Sequence, residues 1–214
     1  MANPILYGPG YSTYARSARL SLEEKGVPYE HVEVDFLQGM PAEQVARHPF
    51  SKVPAFEHEG FYLYETCAIE RYVDEAFEGP ALQPADPKAR ARMSQIISIL
   101  DSYVYGAMIT NVLIQRLVVP AMGGESDEAV IEAALPAARN SAEVLEGFIG
   151  ERNYLVGDTL SLADVHLVPI LTYFKLTPES GPILEDKPGL HRWAEVMAAR
   201  DSVKRYCPPE IKSP

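Results

Sequence analysis

Residues 79–88, GPALQPADPK, split this chain into two halves that follow different folding patterns. Three prolines and a glycine stand in ten residues, and each proline removes a backbone donor and resists helix, so the stretch reads as a linker. Before it, apolar residues come in short alternating runs. After it, they recur only at helical spacing. The reading is a first domain over 1–79, a linker over 80–88 and a second domain over 89–214. A chain of 214 residues has room for two such small domains.

The first half reads βαβαββα. Ile5–Tyr7 is a strand stopped by Gly8-Pro9-Gly10. Ser12 or Thr13 caps a helix in which Ala15, Ala18, Leu20 and Leu22 share helical spacing, and Gly26 ends it. In Tyr29–Phe36, Val32, Val34 and Phe36 alternate with His31, Glu33 and Asp35, as in a half-buried strand. A short helix over Pro41–Arg47 leads to Val53-Pro54. The strand Ala55–His58, a Glu59-Gly60 turn and the strand Phe61–Tyr64 follow. Glu65-Thr66 then opens an amphipathic helix running to about Phe77.

The second half shows no strand-like alternation. Helical runs are expected over Ala89–Val119, Asp127–Ile149, Gly157–Thr172, Leu190–Ala199 and Ser202–Tyr206, with a turn at Met122–Glu125. Pro136 is expected to kink the second run or to start a helix there. Ser161-Leu162-Ala163-Asp164 has the spacing of a capping box, with Leu160 and Val165 placed as its staple.

Composition excludes several classes. Lys and Arg total 19 against 30 Asp and Glu, a net charge of −11, which argues against non-specific binding to nucleic acid or to an anionic membrane. The two cysteines, Cys67 and Cys207, form neither a metal-ligand pattern nor a disulfide framework, and a reducing cytoplasm suits them. The opening MANPILYGPGYS does not read as a signal peptide, and no apolar run approaches membrane-spanning length. No metal is expected. Residues 48–73 carry the clearest ligand signal. An extended Val53-Pro54 ahead of a hairpin leaves a backbone edge that pairs with peptide-like ligands. Glu65-Thr66 offers a carboxylate, a hydroxyl and free N–H groups at a helix start, suited to a charged ligand end. The two features together suit a small zwitterionic peptide.

The segments LYGPGYSTYARSARLSLEEKGVPYEHVEVDF, HPFSKVPAF, LYETCAIERYV, VVPAMGGESDEAV and YLVGDTLSLADVHLV, in this order, resemble the cytosolic glutathione transferases. The resemblance covers nearly the whole chain and is strongest to the phi-like serine type. It implies a thioredoxin-like glutathione-binding domain, an all-helical domain that contributes the electrophile pocket, and a cytoplasmic homodimer. It also implies detoxification chemistry: glutathione, a cosubstrate, is activated as thiolate and conjugated to a small apolar electrophile. Reduction of disulfides normally calls for a cysteine at the first β–α turn. None stands there, so transfer or peroxidase-type chemistry is favoured. The rival reading is a binding or scaffolding module with little catalysis.

The resemblance assigns roles residue by residue. Ser12 falls on the catalytic serine, with Thr13 as the competing hydroxyl and helix capping as the ordinary role of either. Val53 and a cis Pro54 are implied to pair with the cysteinyl part of glutathione. Glu65 and Thr66 are implied to hold its γ-glutamyl end. Lys52 is implied at the glycine end, where a plain loop lysine is the alternative. A His-Lys pair of the phi type is missing upstream, and Gln38 stands there as a substitute donor, which implies weaker glutathione binding. Thr66-Cys67 replaces the commoner Ser-Arg, and Cys67 reads as a small core residue. Tyr11, Phe36, Met108, Val112, Gln115 and Tyr173 are candidates to line the electrophile pocket, expected between the domains.

Overall fold

A computed structural model describes residues 2–36 and 39–206. It divides into two compact units, residues 1–83 and 84–214.

The first unit has the expected βαβαββα order: β1 Ile5–Tyr7, α1 Thr13–Lys25, β2 Glu30–Val32, α2 Ala42–Arg47, β3 Ala55–His58, β4 Phe61–Tyr64 and α3 Thr66–Ala76. The sheet runs β2-β1-β3-β4. β1 is parallel to β2 and antiparallel to β3, with Tyr7 opposite both Val32 and Ala55. The parallel pair requires a crossover, and α1 supplies it. One face of the sheet buries Leu6 and Phe56 against Ala18 and Leu22 of α1 and Ile69 and Val73 of α3. The other face packs Tyr7 and Ala55 with Val34, Val53 and Met40.

One expectation in this unit is corrected. The strand read over Tyr29–Phe36 pairs only at Glu30–Val32, because β1 runs out at Tyr7 and the last bond is from Gly8 N–H to Val32 C=O at 3.0 Å. Beyond that point Glu33 serves the next loop with its side chain instead. The start of the proline-rich linker is held to α3. Asp74 accepts from Leu82 N–H at 2.7 Å and from Gln83 Nε2 at 3.1 Å, and Leu82 is buried. The same Asp74 pairs with Lys25 Nζ at 3.1 Å, tying the end of α1 to α3.

The second unit is all helical among the described residues. It contains α4 Pro87–Ile99, α5 Val119–Ala121, α6 Glu128–Ile149, α7 Leu162–Phe174, α8 Ser180–Leu184, α9 Pro188–Ala198 and α10 Asp201–Tyr206. Pro87 and Lys88, read as linker, open α4. Asp86 caps it by accepting from Ala89 N–H at 2.8 Å, and proline suits the first helical position, whose N–H would be unpaired anyway. Between α4 and α5, Leu100–Val104 and Gly106–Val118 are wound as π-helix, and the run bends by 42° between Val104 and Gly106. α6 continues through Pro136, so that proline does not start a helix. α8 has no counterpart in the sequence reading.

α7 is the core of this unit, buried along almost its whole length. It begins at Leu162 rather than at Gly157, because Asp164 draws the preceding loop onto the helix start. Asp164, with no accessible surface, accepts from Leu155 N–H (2.8 Å), Ser161 N–H (2.9 Å), Ser161 Oγ (2.7 Å) and Trp193 Nε1 (2.9 Å). Burial pushes its carboxyl up, and the four donors pull the other way. The predicted capping box is therefore also the point where the 155–161 loop and α9 are fastened to α7. Asp164→Ala leaves buried donors unpaired and is expected to destabilise the protein by about 3–5 kcal/mol. A fall in the urea unfolding midpoint checks this, with Asp164→Asn milder because it keeps one acceptor oxygen.

Candidate active site

The site is built where β1 leaves the sheet. Gly8 lies so close to its neighbours that an added Cβ would sit 3.2 Å from Ala15 Cβ, 3.5 Å from Val53 Cβ and 3.6 Å from Pro54 Cα. The start of α1 and the Val53-Pro54 pair therefore meet across this glycine. Four residues on, Ser12 caps α1. Its backbone is extended, and its Oγ accepts from Ala15 N–H at 3.3 Å. A hydroxyl that accepts still has its own O–H to donate. Ser12 is partly exposed, whereas Thr13, the competing hydroxyl, is buried as the first residue of the helix.

The Val53-Pro54 peptide bond is cis. Ala55 pairs with Tyr64, and this register sets Glu65 and Thr66 at the same end of the sheet as Pro54. Glu65 caps α3 with φ 70° and ψ 114°, a conformation that costs a non-glycine residue about 1–3 kcal/mol. Its side chain is exposed, its carbonyl accepts from Ala68 and Ile69 N–H at 3.0 Å, and Thr66 beside it is buried. Ser12, Val53, Pro54, Glu65 and Thr66 are thus gathered at one end of one sheet. Gln38 lies outside the described residues.

Lys52 is exposed, and its backbone carbonyl accepts from Gln44 Nε2 at 2.9 Å. Gln44, a polar residue, is the buried position of α2, while Val45 beside it is exposed. Hydrophobic patterning points the other way. The amide is buried because it holds the Lys52 loop. His48 is a second residue that sequence reasoning passed over. It is buried at the end of α2, with its ring 4.8 Å from that of Tyr64 and its Nδ1 without a hydrogen-bond partner. Only its place in HPFSKVPAF, directly ahead of the Val-Pro segment, could have drawn attention to it. Burial lowers its pKa, Lys52 acts in the same direction, and the Glu65 carboxylate opposes both. The same charges therefore reach one buried imidazole.

The electrophile-pocket candidates separate by unit. Tyr11 and Phe36 meet edge to face at 6.1 Å in the first. Burial, with Asp35 and Glu33 adding to it, raises the Tyr11 phenol, which stays protonated at neutral pH. In the second unit, Met108 and Val112 have no exposed surface and Tyr173 is buried. Gln115 Oε1 accepts from Asp127 N–H at 3.0 Å, and its carbonyl accepts from Ser126 Oγ at 2.7 Å. Gln115 thus braces the turn into α6.

Comparison with known proteins shows the family. The sequence matches the glutathione S-transferase N-terminal domain over residues 6–81 and the C-terminal domain over residues 105–201. A probable glutathione S-transferase of Oryza sativa subsp. japonica is 30% identical over 206 residues, covering 94% of this chain and 93% of that protein. A glutathione S-transferase of Arabidopsis thaliana is 30% identical over 208 residues, covering 95% and 94%. Among solved structures, a glutathione transferase from Populus trichocarpa superimposes with a TM-score of 0.87 at 26% identity, over 96% of this chain and 98% of that one. Glutathione S-transferase I from mais, in complex with an atrazine glutathione conjugate, gives 0.85 at 29% identity over 96% of each chain. The chain belongs to the glutathione S-transferases and is of the phi type.

His48 makes a pH dependence testable. Its folded pKa lies below the usual value of about 6.5, so the unfolded chain binds the extra proton. Stability is then expected to be full above about pH 6.5 and to fall as the pH drops through that value. Denaturant midpoints measured from pH 7.5 to pH 5 check it, and His48→Gln is expected to flatten that slope.

Proposed function

We propose that this transferase activates the thiol of glutathione as thiolate and conjugates it to small apolar electrophiles. The observation that carries the reading is the gathering of Ser12, Val53-Pro54 and Glu65-Thr66 at one sheet end. Val53 offers its backbone to the cysteinyl part. The Glu65 carboxylate attracts the γ-glutamyl ammonium, and the Thr66 hydroxyl and N–H hold its carboxylate at the start of α3. Lys52 serves the glycine carboxylate. Residues 1–79 are the glutathione-binding domain of this reading.

The chemistry turns on the sulfur. A cysteine-like thiol titrates near ~8.5, and the thiolate is the nucleophile. The Ser12 O–H donates to that sulfur, and the N-terminus of α1 adds partial positive charge. A hydrogen bond to a charged group is worth about 1.5–3 kcal/mol, or roughly one to two pKa units. The thiolate then forms an S–C bond. In a substitution the leaving group departs with the bonding electrons. In an addition the electrophile takes up a proton. The product in either case is a glutathione thioether, which suits a detoxifying role in the cytoplasm.

Ser12→Ala is expected to lower kcat/KM by about 10- to 100-fold with a generic aromatic electrophile. Full activity in that variant would move the role to Thr13. An inactive wild type across a broad electrophile panel would favour a glutathione-binding module instead.

We also propose a homodimer. Phe50, Phe61 and Tyr62 of the first unit are large apolar or aromatic side chains left 68%, 49% and 54% exposed. Sizing at micromolar concentration is expected to give twice the 23.7 kDa of the chain, and Phe50→Asp to shift it toward the monomer. A wild-type monomer would overturn the proposal.

A further inference from the structure

The turn that leads into Ser12 is gripped by two side chains, one of β2 and one just beyond its end. His31 Nε2 stands 2.7 Å from Gly8 C=O. A carbonyl only accepts, so this nitrogen carries the hydrogen and donates. Two residues further along the same extended chain, Glu33 receives Gly10 N–H on both carboxylate oxygens, at 3.0 and 3.2 Å. Residues at i and i+2 of an extended chain share one face, so the two side chains reach the turn together. They bracket Pro9, which has no N–H of its own. From the opposite side, Arg16 Nε of α1 donates to Gly10 C=O at 2.9 Å. The turn closes on itself through Ser12 N–H to Pro9 C=O at 3.0 Å. An added Cβ on Gly10 would lie 3.1 Å from Glu33 Oε1 and 3.5 Å from an Arg19 guanidinium nitrogen, so a larger residue here would press the Glu33 carboxylate away from its hold on the turn.

We infer that His31 and Glu33 are positioning residues of the transferase reaction, holding the Gly8–Tyr11 turn so that the Ser12 hydroxyl meets the glutathione sulfur. The inference rests on the proposed role of Ser12. None of the proposed glutathione anchors is on β2 or its extension, so the clamp acts on the sulfur side alone. The charged groups around it are few. His31 Nδ1 faces Glu33 Oε1 at 3.7 Å, Arg19 of α1 acts on the same imidazole, and Arg19 Nε donates to Tyr29 Oη at 3.1 Å. Burial and Arg19 lower the His31 pKa, while Gly8 C=O and Glu33 oppose them.

The test compares Glu33→Ala, Glu33→Gln and Gly10→Ala with Ser12→Ala and wild type. It reads kcat, KM for glutathione, and the pH dependence of thiolate absorbance in the glutathione complex. Glu33→Ala and Gly10→Ala are expected to lower kcat about 5- to 10-fold and to move thiol ionisation toward higher pH. KM for glutathione should stay within about 2-fold, since the proposed anchors are untouched. Glu33→Gln keeps an acceptor oxygen and is expected to recover most of the loss. Glu33 is largely exposed, so its removal is not expected to unfold the unit, and a melting curve checks this. Wild-type kcat and thiol ionisation in Glu33→Ala, with Ser12→Ala impaired, would overturn the clamp while leaving the serine reading standing. Full activity in Ser12→Ala would overturn the serine reading and remove the target of the clamp.

Discussion

The site depends on where a very short strand stops. β1 has three residues, yet it is the one strand bonded on one side to β2 and on the other to β3. Because it ends at Tyr7, Gly8 leaves the sheet at the level where Val53-Pro54 enters it. The absence of a side chain at Gly8 lets the α1 start, β1 and the Val-Pro segment close to van der Waals distance. Ladder bonds, worth about 1 kcal/mol each, would not hold so short a strand alone. Leu6 and Phe56, both buried to the last per cent, add about 2 kcal/mol each by packing under α1 and α3. The apolar layer on one face thus fixes the geometry that the polar turn uses at its end.

Much of this was legible in the sequence, for identifiable reasons. The βαβαββα order follows from alternation and from punctuation by Gly and Pro, both local signals. The Ser161–Asp164 capping box was readable because its partners are three residues apart. Asp164 also holding Leu155 and Trp193 was not, since those contacts span 9 and 29 residues. The β2 boundary was misread because alternation continues through Phe36 after the partner strand has ended. Gln44 and His48 were missed because each is a polar residue buried for a loop's sake, against the apolar pattern. The pocket candidates Met108, Val112 and Tyr173 show the opposite difficulty. Helical spacing marks a core residue and a ligand-facing residue alike, and in this unit all three are buried.

Net charge describes the whole chain and misleads about the site. At −11 the protein is a poor environment for a thiolate on average. At physiological salt, however, charges beyond about 8 Å are largely screened, so local groups decide. Around the Ser12 turn these are Arg16 and Arg19 on α1, with Glu33 and Asp35 as the nearby acids. Glu33 is turned to structural use, its two oxygens occupied by Gly10 N–H. On the other side of the Val-Pro segment, Lys52 and Glu65 carry opposite charge and act on one buried imidazole. Cations and anions are therefore interspersed along this end of the sheet, whatever the sign of the whole chain.

Backbone conformation points the same way, independently of charge. Among the described residues, Ser51, Glu59 and Glu65 are the non-glycine residues with positive φ, at 52°, 51° and 70°. Glu59 sits in the Glu59-Gly60 hairpin turn, where such angles match the twist of the strands. Ser51 and Glu65 have no such excuse. They lie on either side of the Lys52–Pro54 and hairpin segment, where a glycine would be less strained. Strain of this kind persists only when the surroundings over-determine it. At Glu65 the surroundings are the buried Thr66, the two N–H groups of α3 bonded to the Glu65 carbonyl, and the β3–β4 register. A glycine there would relieve the backbone but remove the one exposed carboxylate at the start of α3. The strain at Glu65 is therefore held in place by these contacts while the carboxylate itself stays exposed.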